Sequence, residues 1–227
     1  MKKHNSRDFA IIHRMNGHYS DLQEDLRSVK SFDEFKNGEG KRRAILFDFL
    51  QIGELANQLS KEFKEEFNNK NSYALISIRN RVVHGYGTVR DDIVYKTILE
   101  ELPELMSQYN DFARMRYSRM VKDLLGKKIK VIVDRPIGYN HNGLIYPINY
   151  GYTEKLTALD GEFQDAYIID VKDSVSEFQG TVIAIIHRDD DVEDKLVVAK
   201  SYISLSDEEI EKIVLFQEQF FKHHIER

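Results

Sequence analysis

Along the first half of the chain, apolar side chains recur every three or four positions at Phe9, Ile12, Met15, Tyr19, Leu22, Leu26 and Val29. That spacing marks one face of an amphipathic helix. Ser31 and Glu34 then stand at capping-box spacing, which predicts a fresh helix start. After the break Asn37-Gly-Glu-Gly40, the positions Ile45, Phe49, Ile52, Leu55 or Ala56, Leu59 and Phe63 predict a second long helix, ended by Asn68 and Asn69. A third carries Leu75, Ile78 and Val82 into His84-Gly-Tyr-Gly87, whose glycines suit a C-terminal stop. A fourth begins at Asp91 with Ile93, Val94, Ile98 and Leu102 inward, and Pro103 should kink or restart it.

The period changes near Leu125-Gly126, where Ile129, Val131 and Val133 alternate with Lys128 and Lys130 as in a strand. Further strands are expected over 166–171, 181–187 and 196–199, in a chain segment whose loops are rich in Asp, Gly and Asn. A last helix follows Ser206-Asp-Glu-Glu209, with Ile210, Ile213, Val214 and Phe220 on one side. The expected organisation is therefore α+β: an all-helical domain over 1–118, a connector over 119–126 and a β-rich domain over 127–227.

Length allows this division, since 227 residues suffice for two domains of about 110 residues that each bury a core. Absence of cysteine excludes disulfides and thiolate metal sites. No apolar run approaches the roughly 20 residues of a membrane span, and the basic start Met1-Lys-Lys-His-Asn-Ser6 lacks the apolar stretch of a secretory leader. A cytoplasmic protein is expected, without a membrane partner. The net charge of −5 is unevenly shared: residues 1–120 hold 20 Lys and Arg against 18 Asp and Glu, the remainder 13 against 20. The acidic second half suits cations, and the first half is a modest electrostatic footprint for nucleic acid.

In the first half, Arg79, His84 and Tyr86 bring a guanidinium, an imidazole and a phenol together at a helix end. Imidazole can move the proton of a ribose 2′-hydroxyl while guanidinium stabilises charge on phosphorus, so this set can cleave RNA without a metal. On an unbroken helix a five-residue step rotates by about 140°. Either the helix breaks at Gly85 or a second subunit completes the site. The stretch resembles the R-x-x-x-x-H-x-Y motif of the HepT-type HEPN proteins, and "FDFLQIGELANQLS", "RNRVVHGYGTVRDDIV" and "ELPEL" extend the resemblance over most of 8–106. The resemblance implies a homodimeric four-helix-type bundle and a toxin ribonuclease acting on RNA through Arg79 and His84. It also implies that Tyr86 is adenylylated by a minimal nucleotidyltransferase antitoxin.

The second half carries two acidic clusters, Asp160-Gly-Glu162-Phe-Gln-Asp165 and Asp189-Asp-Asp191-Val-Glu193-Asp194-Lys195. Each alone reads as a solvated loop, yet converging carboxylates are what hard cations such as Mg2+ select. Before them lies the aromatic run Tyr146-Pro-Ile-Asn-Tyr150-Gly-Tyr152, which taken alone reads as half-buried core and turn. That order, with Val133-Asp-Arg135 upstream and "FQGTVIAIIHRDDDVEDKLVVA" downstream, resembles the family I inorganic pyrophosphatases over 127–225. The resemblance implies a small OB-like β-barrel with a C-terminal helix, hydrolysing pyrophosphate or a nucleotide-like phosphoanhydride with Mg2+. By its motifs, Asp160, Asp165, Asp189 and Asp194 would be metal ligands and Glu162 the carboxylate activating water. Tyr150 would assist near that water, and Arg135, Tyr146 and Lys195 would bind substrate.

This chain departs from the family. The K-x-E hairpin is missing from Lys127-Lys-Ile-Lys130, Glu162 stands where Asp is usual, and Lys195 directly follows Asp194, one residue early. His4, His13, His18 and His141 have no ligand-like spacing and are expected to be exposed, and His187 is expected to pack in the core or at the barrel rim.

Overall fold

The computed structural model describes residues 7–67, 90–189, 191–201 and 205–227. The chain divides into two compact units, Met1–Arg114 and Met115–Arg227. No helix among the described residues is long and apolar enough to cross a membrane.

In the first unit, helices α1 (Arg7–Leu26) and α3 (Glu39–Gln58) pack along their apolar faces. Phe9, Met15, Leu22, Ile45, Phe49 and Ile52 are all fully buried, as the helical period requires. Between them, Ser31 caps α2 (Phe32–Asn37) by accepting from Glu34 N. The return bond is displaced, because Glu34 Oε2 accepts from Lys30 N at 2.7 Å. The second long helix expected to run on to Asn68 and Asn69 is broken at Leu59-Ser60, and α4 (Lys61–Phe67) restarts. The cause is tertiary. Buried Asp8 accepts from Ser60 N at 2.8 Å and from Ser60 Oγ at 2.7 Å, and Ser60 Oγ accepts from Phe63 N.

The third expected helix falls outside the described residues. The fourth is interrupted as its proline predicts: α5 (Asp91–Lys96) passes into a π-helical turn (Thr97–Glu101) and then α6 (Leu102–Lys122). Leu102 N donates to Thr97 O, a wide turn next to Pro103, whose ring displaces the ordinary ladder. The helix occupies the expected connector as far as Lys122.

The second unit holds β1 (Lys128–Arg135), a small hairpin of β2 (Asn140–His141) and β3 (Leu144–Ile145), β4 (Asn149–Thr157), β5 (Phe163–Ile168), β6 (Glu177–Arg188) and β7 (Lys195–Ala199). Helix α7 (Asp207–Glu218) and β8 (His223–Glu226) complete it. Strands pair in the order β1-β4-β5-β7-β6, and β6 returns to β1, closing a five-stranded barrel. Among the described strands, only β5 and β7 run parallel. The first half of β6 pairs with β1 and its end, Ile185 to Arg188, with β8. Ser206 and Glu209 form a full capping box on α7, which buries Ile210 and Val214 against Tyr146, Tyr150, Tyr167, Ile186 and Val197.

Two sequence expectations change here. The aromatic run feeds a nine-residue strand, β4, rather than a turn. Phe220 lies past the end of α7 and is 69% exposed, so it is no part of the helix's inner face.

Candidate active site

A cleft of about 550 Å3 opens on the barrel, lined by the end of β1, Tyr152 of β4, the turn into β5 and the start of β7. Asp134 reaches it through a β-bulge, since Val133 pairs with Gly151 and Arg135 with Tyr150, leaving Asp134 without a partner. Bulges re-aim side chains in this way. Gly151 permits the close approach of β1, for a Cβ there would lie 1.9 Å from Ile132 O. In the β4–β5 turn, Asp160 Oδ1 accepts from Glu162 N at 2.9 Å and Gly161 adopts φ +91, an Asx turn closed by a residue that tolerates positive φ. Asp165 follows on β5. The parallel pairing of Ala166 with Leu196 brings Lys195 alongside Asp165.

Lys195 is 1% exposed, and its Nζ donates to Asp165 Oδ2 at 2.6 Å and to Glu193 Oε2. Burying an ammonium is tolerable only with such partners. Asp165 Oδ2 also accepts from Tyr150 OH at 2.5 Å. Burial, then the Asp165 carboxylate, raise the Tyr150 pKa well above its ordinary value, so this phenol is a donor and not a base. Arg135 donates to Tyr146 OH at 2.6 Å and lies 5.4 Å and 5.1 Å from the Tyr146 and Tyr150 ring centroids, cation–π range. Desolvation raises the Asp134 pKa although the residue stands at an exposed rim; Arg135 opposes the rise and Asp165 adds to it.

Gln164 is fully buried and ties the cleft wall together, accepting from Tyr117 OH at 2.5 Å and donating to Asp194 O. Asp194 Oδ2 lies 2.9 Å from His187 Nδ1, and His187 Nε2 lies 2.8 Å from Glu226 Oε2. The Asp194 bond, opposed by burial and aided by Glu226, raises the His187 pKa. Arg188 turns away into the core, paired with Glu218 at 2.7 and 2.8 Å.

Of the residues expected from sequence, Arg135, Asp160, Glu162, Asp165, Asp194 and Lys195 meet in this cleft. Tyr146 and Tyr150 do not line it. They are 1% and 2% exposed and act on it through their hydroxyl bonds to Arg135 and Asp165 and through their rings against the Arg135 guanidinium. Asp189 lies elsewhere, exposed and 3.0 Å from His224 Nδ1. Asp134, Tyr152, Phe163, Gln164 and Glu193 line the cleft as well, without a role expected from the sequence. The one-residue shift between Asp194 and Lys195 was the available signal that Glu193 takes a place in the second cluster.

The oxygen donors of this cleft suit a hard cation that keeps several waters and takes one or two carboxylates. The structure also places a tighter group elsewhere. Among the described residues, the three side chains whose ligand atoms all lie within 4.8 Å of one another are His18, Asp21 and Asp48, on α1 and α3. His18, expected to be simply exposed, lies 2.9 Å from Asp48.

Residues 15–111 match the family model described as Ribonuclease HepT-like. A candidate RNase of Caldanaerobacter subterraneus is 32% identical over 81 residues, which span 36% of this chain and 72% of that protein. The chain belongs to the HepT-like family. A second relative, a candidate RNase of Methanocaldococcus jannaschii, is 25% identical over 77 residues, 34% of this chain and 71% of that protein. Arg79, His84 and Tyr86 fall within the HepT-like match but outside the described residues.

Beyond the HepT-like segment, the C-terminal part is similar to crystal structures of inorganic pyrophosphatases. That from Ehrlichia chaffeensis matches with a TM-score of 0.38 and 14% identity, over 45% of this chain and 86% of that one. That from Neisseria gonorrhoeae matches with a TM-score of 0.34 and 20% identity, over 40% and 72%.

Proposed function

We propose that the barrel cleft hydrolyses phosphoanhydrides with Mg2+ as cofactor, in one chain with a HepT-like ribonuclease domain. The observation that carries the hydrolase reading is the meeting of Asp134, Asp160, Glu162, Asp165, Glu193 and Asp194 with Arg135 and Lys195 around a single cleft. Asp160, Asp165, Glu193 and Asp194 supply the carboxylates for Mg2+, which when bound would offset phosphate charge and lower the pKa of a water.

Glu162 takes a proton from the attacking water, whose oxygen bonds to phosphorus as the bridging P–O bond breaks. The leaving phosphate keeps the bonding pair, and Arg135 and Lys195 offset its charge. Tyr150 donates to Asp165 and Tyr146 accepts from Arg135. Both tyrosines thereby position a charged group, rather than touch substrate.

For the helical part, the relatives' designation as RNases and the spacing of Arg79 and His84 support metal-independent RNA cleavage by a homodimer. Tyr86 would be the adenylylation target of a minimal nucleotidyltransferase antitoxin, a reaction whose released pyrophosphate a fused hydrolase would remove. One observation favours a second reading of the barrel, as a sensor of nucleotide or metal without turnover: Lys195 Nζ already fills the gap between Asp165 and Glu193. Phosphate release from pyrophosphate and from nucleoside polyphosphates by the full chain, with Mg2+ and with chelator, separates the two. Mg2+-dependent release is expected, and no release from any of them would leave the sensor reading.

A further inference from the structure

The cleft contains more than the chemistry of inorganic phosphate calls for. Tyr152 of β4 and Phe163 of β5 line it beside Asp160, Glu162 and Asp165. Their rings lie parallel, 5.6 Å between centroids at an interplanar angle of 12°. Phe163 is 44% exposed and belongs to no part of the barrel's buried core. Part of the phenyl ring is thus open to water on the wall of a charged cleft, available to a ligand. Pyrophosphate has no apolar atom to place against it.

The cleft's roughly 550 Å3 falls in the range of about 300–1,000 Å3 typical of pockets that enclose molecules of drug size. That leaves space beyond two phosphates. Tyr152 covers one part of the Phe163 ring and fixes its orientation, and a side chain with two rotatable bonds pays little entropy when a ligand settles on it. Every nucleobase has a π-face that can stack on such a ring, without a hydrogen-bond code.

Resting on the hydrolase reading above, we infer that the substrate is a nucleoside polyphosphate whose base stacks on Phe163 while its phosphates face Arg135, Lys195 and the carboxylates. The ledge selects nucleotides over inorganic polyphosphates and discriminates little among the bases.

The test compares adenosine triphosphate with inorganic tripolyphosphate, using the full chain with Mg2+ and reading kcat/KM for each. Phe163→Ala, and Phe163→Leu as the variant that keeps apolar bulk, should lower the ratio of nucleotide to inorganic kcat/KM by about 5- to 150-fold, the loss of one base stack. Phe163→Tyr should hold the ratio near the wild-type value. A ratio unmoved in Phe163→Ala and Phe163→Leu overturns the ledge and leaves the hydrolase reading standing. If the wild type releases phosphate from neither substrate, the hydrolase reading fails by itself. Calorimetric titration with the Mg2+ complex of β,γ-imido adenosine triphosphate then decides the ledge: weaker binding by Phe163→Ala upholds it, and equal or absent binding by both proteins overturns it.

Discussion

Lys195 Nζ lies 2.6 Å from Asp165 Oδ2, on a lysine that is 1% exposed, so the cleft carries a fixed protein cation against one of its proposed metal ligands. The same carboxylate oxygen accepts from Tyr150 OH at 2.5 Å. Asp165 is therefore oriented from two sides before any ligand arrives, and orientation of this kind is what a reacting site requires.

Replacing Asp165 by Asn keeps the shape and one acceptor but removes the charge. Phosphate release should fall by about 100-fold or more, because even outer partners of metal ligands are worth about 10- to 100-fold. The Mg2+-dependent rise in Tm should shrink as well, since a cation bound only by the folded chain stabilises it by mass action. Unchanged release in the variant, or release by the wild type that survives chelator, would remove metal hydrolysis from the cleft.

His84→Ala should abolish RNA cleavage and relieve growth arrest in cells without shifting the thermal unfolding of the chain. The role proposed for the histidine is the proton transfer. Cleavage of the same RNA at the same rate by both proteins would exclude it.

The bond from Asp8 to Ser60 should be visible in stability. Asp8→Ala leaves the Ser60 N–H without its acceptor at a helix start, at a cost of about 1–3 kcal/mol, whereas Asp8→Asn retains an acceptor and should cost less. Both are read from urea unfolding. Equal losses would point to the carboxylate charge instead of the hydrogen bond.

His187 has a carboxylate against each ring nitrogen, Asp194 at 2.9 Å and Glu226 at 2.8 Å. The Asp194 hydrogen bond leads the causes that raise its pKa in the folded chain. A raised pKa means stabilisation that is complete below the unfolded value of about 6.5 and is lost as pH rises through the folded value. In chelator, the Tm should decline over that interval, and His187→Gln should flatten the decline. A variant that keeps the wild-type slope would assign the pH dependence to other groups.

Both α-helical and β periods, the two capping serines and the order of acidic motifs were legible because each depends on residues close in sequence. A helical face repeats every three or four positions, and the Asx turn at Asp160 involves only its neighbours. By itself, the chain of letters therefore determined an α+β protein with a helical HepT-like first half, and named six of the residues that meet in the cleft. Tertiary structure alone decided the rest. The bulge that presents Asp134 exists only in the register of β1 against β4, and the burial of Lys195 depends on a parallel pairing between strands 30 residues apart. The break at Ser60 comes from Asp8, which is 52 positions away and beyond any local pattern. Asp189 and Glu193 look alike in sequence, yet one pairs with His224 outside the cleft and the other with Lys195 inside it. Carboxylates in a loop have no period, and only the closed hydrogen-bond ladder of the barrel determines which of them converge.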